Sequence, residues 1–111
     1  MARLTPDRLR DILVRELNWY SGTSDDFILY FAQDDEQRLY IISGIRNAPQ
    51  SEQDRSFILM QARVIDDHIV IDEDTLWDKN LWQALEKAGV PREQIILAYK
   101  GEKLPSLNQM P

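Results

Sequence analysis

A chain of 111 residues with 43% hydrophobic and 29% charged content suits one globular domain with a single core. The lack of cysteine excludes a disulfide framework, a thiolate metal site and a cysteine nucleophile, and fits a reducing compartment. A net charge of −6 disfavours direct nucleic-acid contact, which depends on cations that displace phosphate counterions, and suits a basic protein partner better.

Thr5-Pro6-Asp7 marks a helix start, with Thr5 as N-cap and Pro6 in the first position. Leu9, Ile12, Leu13, Leu17 and Tyr20 then form one apolar stripe, predicting a helix over 6–20 with Arg8, Asp11, Arg15 and Asn18 on its solvated side. Residues 21–25 read as a loop containing Gly22. Residues 27–33 and 39–45 read as a hairpin about the polar turn 34–37. A longer polar loop over 47–54 precedes a third strand, 57–65. The pair Asp66-Asp67 then turns the chain into a fourth strand, 68–71.

Asp72, Glu73, Asp74 and Thr75 place acids and a hydroxyl where a second helix would open. Its apolar face is Leu81, Trp82, Leu85 and Ala88. Gly89 suits a left-handed stop, Pro91 prevents resumption, and 95–99 reads as a buried strand. The expected fold is therefore α+β: an N-terminal helix, an antiparallel sheet of about four strands, a C-terminal helix and a final strand. Residues 1–100 form the domain, and 101–111 a tail, read as a loop or arm.

The first two strands are apolar on both sides: Phe27, Leu29 and Phe31 against Ile28, Tyr30 and Ala32, then Leu39, Ile41 and Ile45 against Tyr40 and Ile42. Two helices can cover one face of such a sheet but scarcely two, so part of it is expected to meet a second copy or another protein. Trp19 lies off the apolar stripe of the first helix and reads as an exposed aromatic anchor. Trp19, Tyr30, Tyr40 and Ile42 are the candidate partner-binding residues. Trp82 reads as core, and Trp77 as a staple at the start of the second helix.

Little in the chain points to chemistry. The single histidine, His68, sits by a turn among Asp66, Asp67, Asp72 and Asp74, but alternation along a strand sends those acids to different faces. It reads as a solvated turn histidine. Asp72-x-Asp74 resembles the opening of a calcium loop, yet Trp77 stands where glycine is required and Gln83 where the bidentate glutamate belongs. No glycine-rich phosphate loop or nucleophile motif occurs, and the paired aspartates fall in turns. No catalytic residue, metal site or cofactor is expected. With no apolar run near the roughly 20 residues of a bilayer span, and no apolar signal core in 1–10, the chain is expected in the cytoplasm.

The stretches Ile69-Val70-Ile71-Asp72-Glu73-Asp74-Thr75, Leu81-Trp82-Gln83-Ala84-Leu85 and Ala88-Gly89-Val90-Pro91-Arg92-Glu93-Gln94-Ile95-Ile96-Leu97-Ala98-Tyr99 resemble the C-terminal half of the XisI family. These are small excision-controlling proteins known mainly from cyanobacteria. The resemblance implies an accessory protein, not the strand-cleaving activity, that acts with a separate XisH-like partner and a recombinase in programmed excision of a DNA element. Many members follow the last strand with His-Pro-Pro; here Lys100-Gly101-Glu102-Lys103-Leu104-Pro105 stands instead, resembling a second branch of the family. On its own the chain is expected to form a homo-oligomer. The alternatives are an antitoxin-like inhibitor of a nuclease, a small-molecule-binding domain built on Asp66–Asp74 and His68, and a direct DNA binder.

Overall fold

The computed structural model describes residues 3–76 and 78–104. Helix α1 spans Pro6–Tyr20, as its sequence predicts, and the Thr5 hydroxyl accepts a hydrogen bond from the Arg8 N–H at 3.2 Å. Leu9, Ile12, Leu13 and Leu17 are its buried face.

The strands are β1 (Gly22–Thr23), β2 (Phe27–Asp34), β3 (Leu39–Arg46), β4 (Ser56–Ile65), β5 (His68–Asp74) and β6 (Ile95–Leu97). They form one sheet in sequential order. Neighbours from β1 to β5 are antiparallel; β6 lies parallel to β5. Parallel neighbours cannot be joined by a hairpin, so helix α2 (Leu81–Lys87) carries the chain back between them.

The expected topology is corrected in three places. The loop over 21–25 contains β1, whose two residues pair with Leu29 and Ile28. The sheet has six strands of mixed direction instead of about four antiparallel ones, and its last strand stops at Leu97, after which 98–100 form a 3-10 turn. The acids of 72–74 do not open α2; β5 runs through Asp74 and the helix begins at Leu81.

The turns follow local chemistry. In the β2–β3 connection the Asp34 carboxylate accepts from the Glu36 and Gln37 N–H groups, and Arg38 takes a left-handed conformation with φ 56°. Asp66 does the same at φ 52° in the β4–β5 turn, a conformation aspartate tolerates better than most residues.

Residues paired across the sheet share a face. One face is set by Phe31–Ile42–Met60, by Tyr40–Ala62–Ile71 and by Val64–Ile69–Ile95. These side chains join Leu9, Ile12, Leu13 and Leu17 of α1 and Leu81 and Leu85 of α2 in one core. Both α-helices therefore pack on the same face. Phe57 pairs with Gly44 on this face, and a Cβ at Gly44 would run into the Phe57 ring, so glycine is what lets the ring lie flat on the strand.

Candidate interaction surfaces

The opposite face of the sheet is apolar and carries no α-helix among the described residues. Its rows are Ile28–Ile45, Tyr30–Ser43–Ile58, Ala32–Ile41–Gln61–Glu73 and Asp34–Leu39–Arg63–Val70–Ile96, so the acids Asp34 and Glu73 end two of them, and Val70 and Ile96 are already buried. Tyr30 is 50% exposed, Ile45 39% and Ile58 40%. Arg63 is the cation in these rows, and Asp72 holds it in a bidentate pair, Nε to Oδ2 at 2.7 Å and Nη2 to Oδ1 at 2.8 Å. That pairing raises the arginine pKa further and leaves no net charge there.

A second surface lies on the helical side. Trp19 is 68% exposed at the C-terminal end of α1, edge-on to Tyr20 with ring centroids 5.1 Å apart. The Lys79 ammonium stands 5.8 Å from the Trp19 ring centroid. Together with Arg15, Gln83 and Lys87 these residues line a groove of about 560 Å³ between α1 and α2. The Tyr20 hydroxyl donates to the Lys79 carbonyl at 2.8 Å; burial, then the nearby Asp74 and Glu16 charges, push its pKa up to about 12, so it remains a donor.

The four candidate partner-binding residues separate accordingly. Trp19 and Tyr30 are exposed but on opposite sides of the sheet layer, so they cannot form one patch. Tyr40 and Ile42 are fully buried beneath the helices, which corrects their reading as surface contacts: alternation in β3 turns them to the core while Leu39, Ile41 and Ile45 face outward. The Tyr40 hydroxyl still reaches the core's edge, donating to Asp35 Oδ1 at 2.9 Å. Trp82 packs against the core as expected, with the Arg92 guanidinium 5.4 Å from its ring centroid. Trp77 lies outside the described residues.

The acids around His68 are engaged separately. Asp67 accepts from Arg3 Nε at 2.7 Å, Asp72 holds Arg63, and Asp74 is buried with both oxygens on backbone N–H groups, Leu76 at 3.1 Å and Leu81 at 2.8 Å. No grouping of metal-ligating side chains occurs among the described residues. His68 is not the solvated turn residue expected: its side chain is 20% exposed at the start of β5, with Nδ1 3.1 Å from Asp67 Oδ1.

One residue with a central structural role escaped the sequence reading. Gln94 is fully buried; its Oε1 accepts from the Leu4 N–H at 2.9 Å, and its Nε2 donates to the carbonyls of Leu4 at 3.0 Å and Asp67 at 2.8 Å. Its place in a polar run beside Pro91 hid it. The signal available was a polar amide directly preceding three apolar strand residues.

The XisI protein family model matches residues 6–109. The fold is also similar to two crystal structures from Anabaena variabilis. An XisI-like protein superposes with a TM-score of 0.71 at 20% identity, covering 96% of this chain and 94% of the other. The fdxN element excision controlling factor XisI superposes with a TM-score of 0.58 at 16% identity, covering 85% and 82%. No curated protein sequence matched the chain. None of the described helices is long and apolar enough to cross a membrane. With a family match spanning nearly the whole sequence and the fold of its solved relatives, the chain belongs to the XisI protein family.

Proposed function

We propose that this chain is a non-catalytic accessory protein in the control of DNA element excision, and that it works by binding an XisH-like protein and, with it, a recombinase. The observation that carries this reading is the groove around Trp19. A large aromatic ring 68% exposed, in a groove whose charged lining is mixed (Arg15, Lys79 and Lys87 with Glu16 and Asp78), is the form of a binding anchor rather than of a core residue. The engagement of Asp67, Asp72 and Asp74 in separate structural contacts supports action by contact over chemistry at His68. The family match supports the excision context, since a structural relative is itself named an excision controlling factor.

The test is co-expression with an XisH-like protein, followed by size-exclusion chromatography with light scattering. A stable heteromeric complex is expected, and Trp19→Ala should weaken it by about thirtyfold, the effect of losing a hot-spot anchor worth about 2 kcal/mol. Absence of a complex, or one indifferent to Trp19→Ala, would reject the assignment.

A further inference from the structure

We propose that the open face of the sheet is a homodimer interface, two copies stacking face to face with the Trp19 groove of each left outward. This goes beyond the partner-binding reading and does not depend on it, because the two surfaces lie on opposite sides of the sheet.

The area is sufficient. Strands β2 and β3 are eight residues each, so the face is about 26 Å long at roughly 3.3 Å per residue. Its exposed apolar residues lie on three strands, β2 to β4, about 14 Å across, since Val70 and Ile96 farther along are already buried. That is roughly 360 Å² in plan, and side-chain relief brings it towards the roughly 600 Å² per partner of the smaller stable interfaces.

Charge selects the occupant. The chain carries −6, so two copies repel unless they meet where charge is absent. The centre of the open face is such a place: Arg63 is neutralised by Asp72 within the same chain, and the two further acids on this face, Asp34 opposite Leu39 and Glu73 opposite Gln61, stand at the far ends of β2 and β5. A basic partner would instead be drawn to the acidic surface elsewhere. An isologous stack also needs a patch complementary to itself, which the central layer of isoleucine and tyrosine, Tyr30, Ile41, Ile45 and Ile58, provides. Two aligned sheets about 10 Å apart would bury Tyr30, Ile45 and Ile58 from both sides.

The test is light scattering and sedimentation of the full chain through a dilution series. A dimer of the 13.0 kDa chain is expected. The double variant Ile45→Asp/Ile58→Asp should be monomeric, with at least about 100-fold weaker self-association. Trp19→Ala and a chain lacking 105–111 should both remain dimeric. If the double variant loses its circular-dichroism signal, Tyr30→Lys replaces it, since that half-exposed ring contributes to the same face. A monomeric full chain at high concentration overturns the proposal, as does a dimer untouched by open-face substitutions. So does a full chain that dimerises only after 105–111 are removed, which would assign the face to that segment. A dimer that binds no XisH-like protein supports this proposal and rejects only the partner reading.

Discussion

Gln94 joins three stretches distant in sequence: the segment before α1, the β4–β5 turn and the approach to β6. An amide is suited to this because it offers an acceptor and two donors on one planar group. Replacing it by alanine leaves three backbone groups without their partner in a dry site. Gln94→Ala should cost about 2–3 kcal/mol, read from chemical denaturation; a loss below about 0.5 kcal/mol would show that water replaces the amide freely. Glu102 has a related local role. Its Oε1 accepts from the Leu97 N–H at 2.8 Å and its Oε2 from Arg92 Nη2 at 2.9 Å, contacts that hold its pKa below the usual glutamate range. The segment that departs from the His-Pro-Pro pattern therefore folds back on β6 at its start.

At the scale of elements, α2 shows how a cap can be supplied from a distance. It is short, spanning Leu81–Lys87, and Asn80 at its N-cap position makes no side-chain capping bond. Asp74 supplies the acceptor for Leu81 N–H from the end of β5. Burial raises the Asp74 pKa while its two backbone N–H donors oppose that shift. Asp74→Ala should destabilise the fold by about 1–3 kcal/mol. It should also speed amide exchange in 81–87 before the rest of the chain. Exchange that rises uniformly would instead show α2 opening only with the whole domain. The acids at 72–74 do fit a helix start in their chemistry; the bulge in the β4–β5 pairing between Gln61 and Ala62 lets β5 run on through them.

For the whole molecule, the link between α1 and the β2–β3 turn makes stability depend on acid. Arg10 Nε and Nη2 each donate at 2.9 Å to the two oxygens of Asp35, and Tyr40 adds a third donor. The Arg10 bonds first, then Tyr40, bring the Asp35 pKa down to about 2. A carboxyl lowered in the folded state contributes stability above its unfolded pKa and loses it as pH falls through the folded value. Asp67, lowered chiefly by Arg3, acts in the same direction. Stability should therefore decline from about pH 4 towards about pH 2, and Asp35→Asn should flatten that limb in thermal unfolding followed across pH. An unchanged slope would show that the Arg10 contact is no stronger in the folded chain than out of it. The expected apolar excess on the sheet also becomes a definite surface at this scale. Both helices share one side, and the other is left with Tyr30, Ile45 and Ile58 exposed.

The local punctuation of this chain is legible in its residues. Thr5 and Pro6 start α1 where a cap and a missing N–H donor are best placed, and period-3.6 spacing sets its buried stripe. The hairpin about 34–37 and the Asp66 turn follow from side chains that satisfy their own backbone. Such effects act within a few residues, so the sequence alone determines them. Tertiary structure decided which face of an all-apolar strand is core. Tyr40 and Ile42 look no different from Leu39 and Ile41 until the pairing register and the helices choose between them. It also decided that β1 pairs at the edge, that β6 joins β5 in parallel, and that Gln94 is buried. Those outcomes depend on contacts between residues far apart in the chain, and neither periodicity nor propensity carries that information.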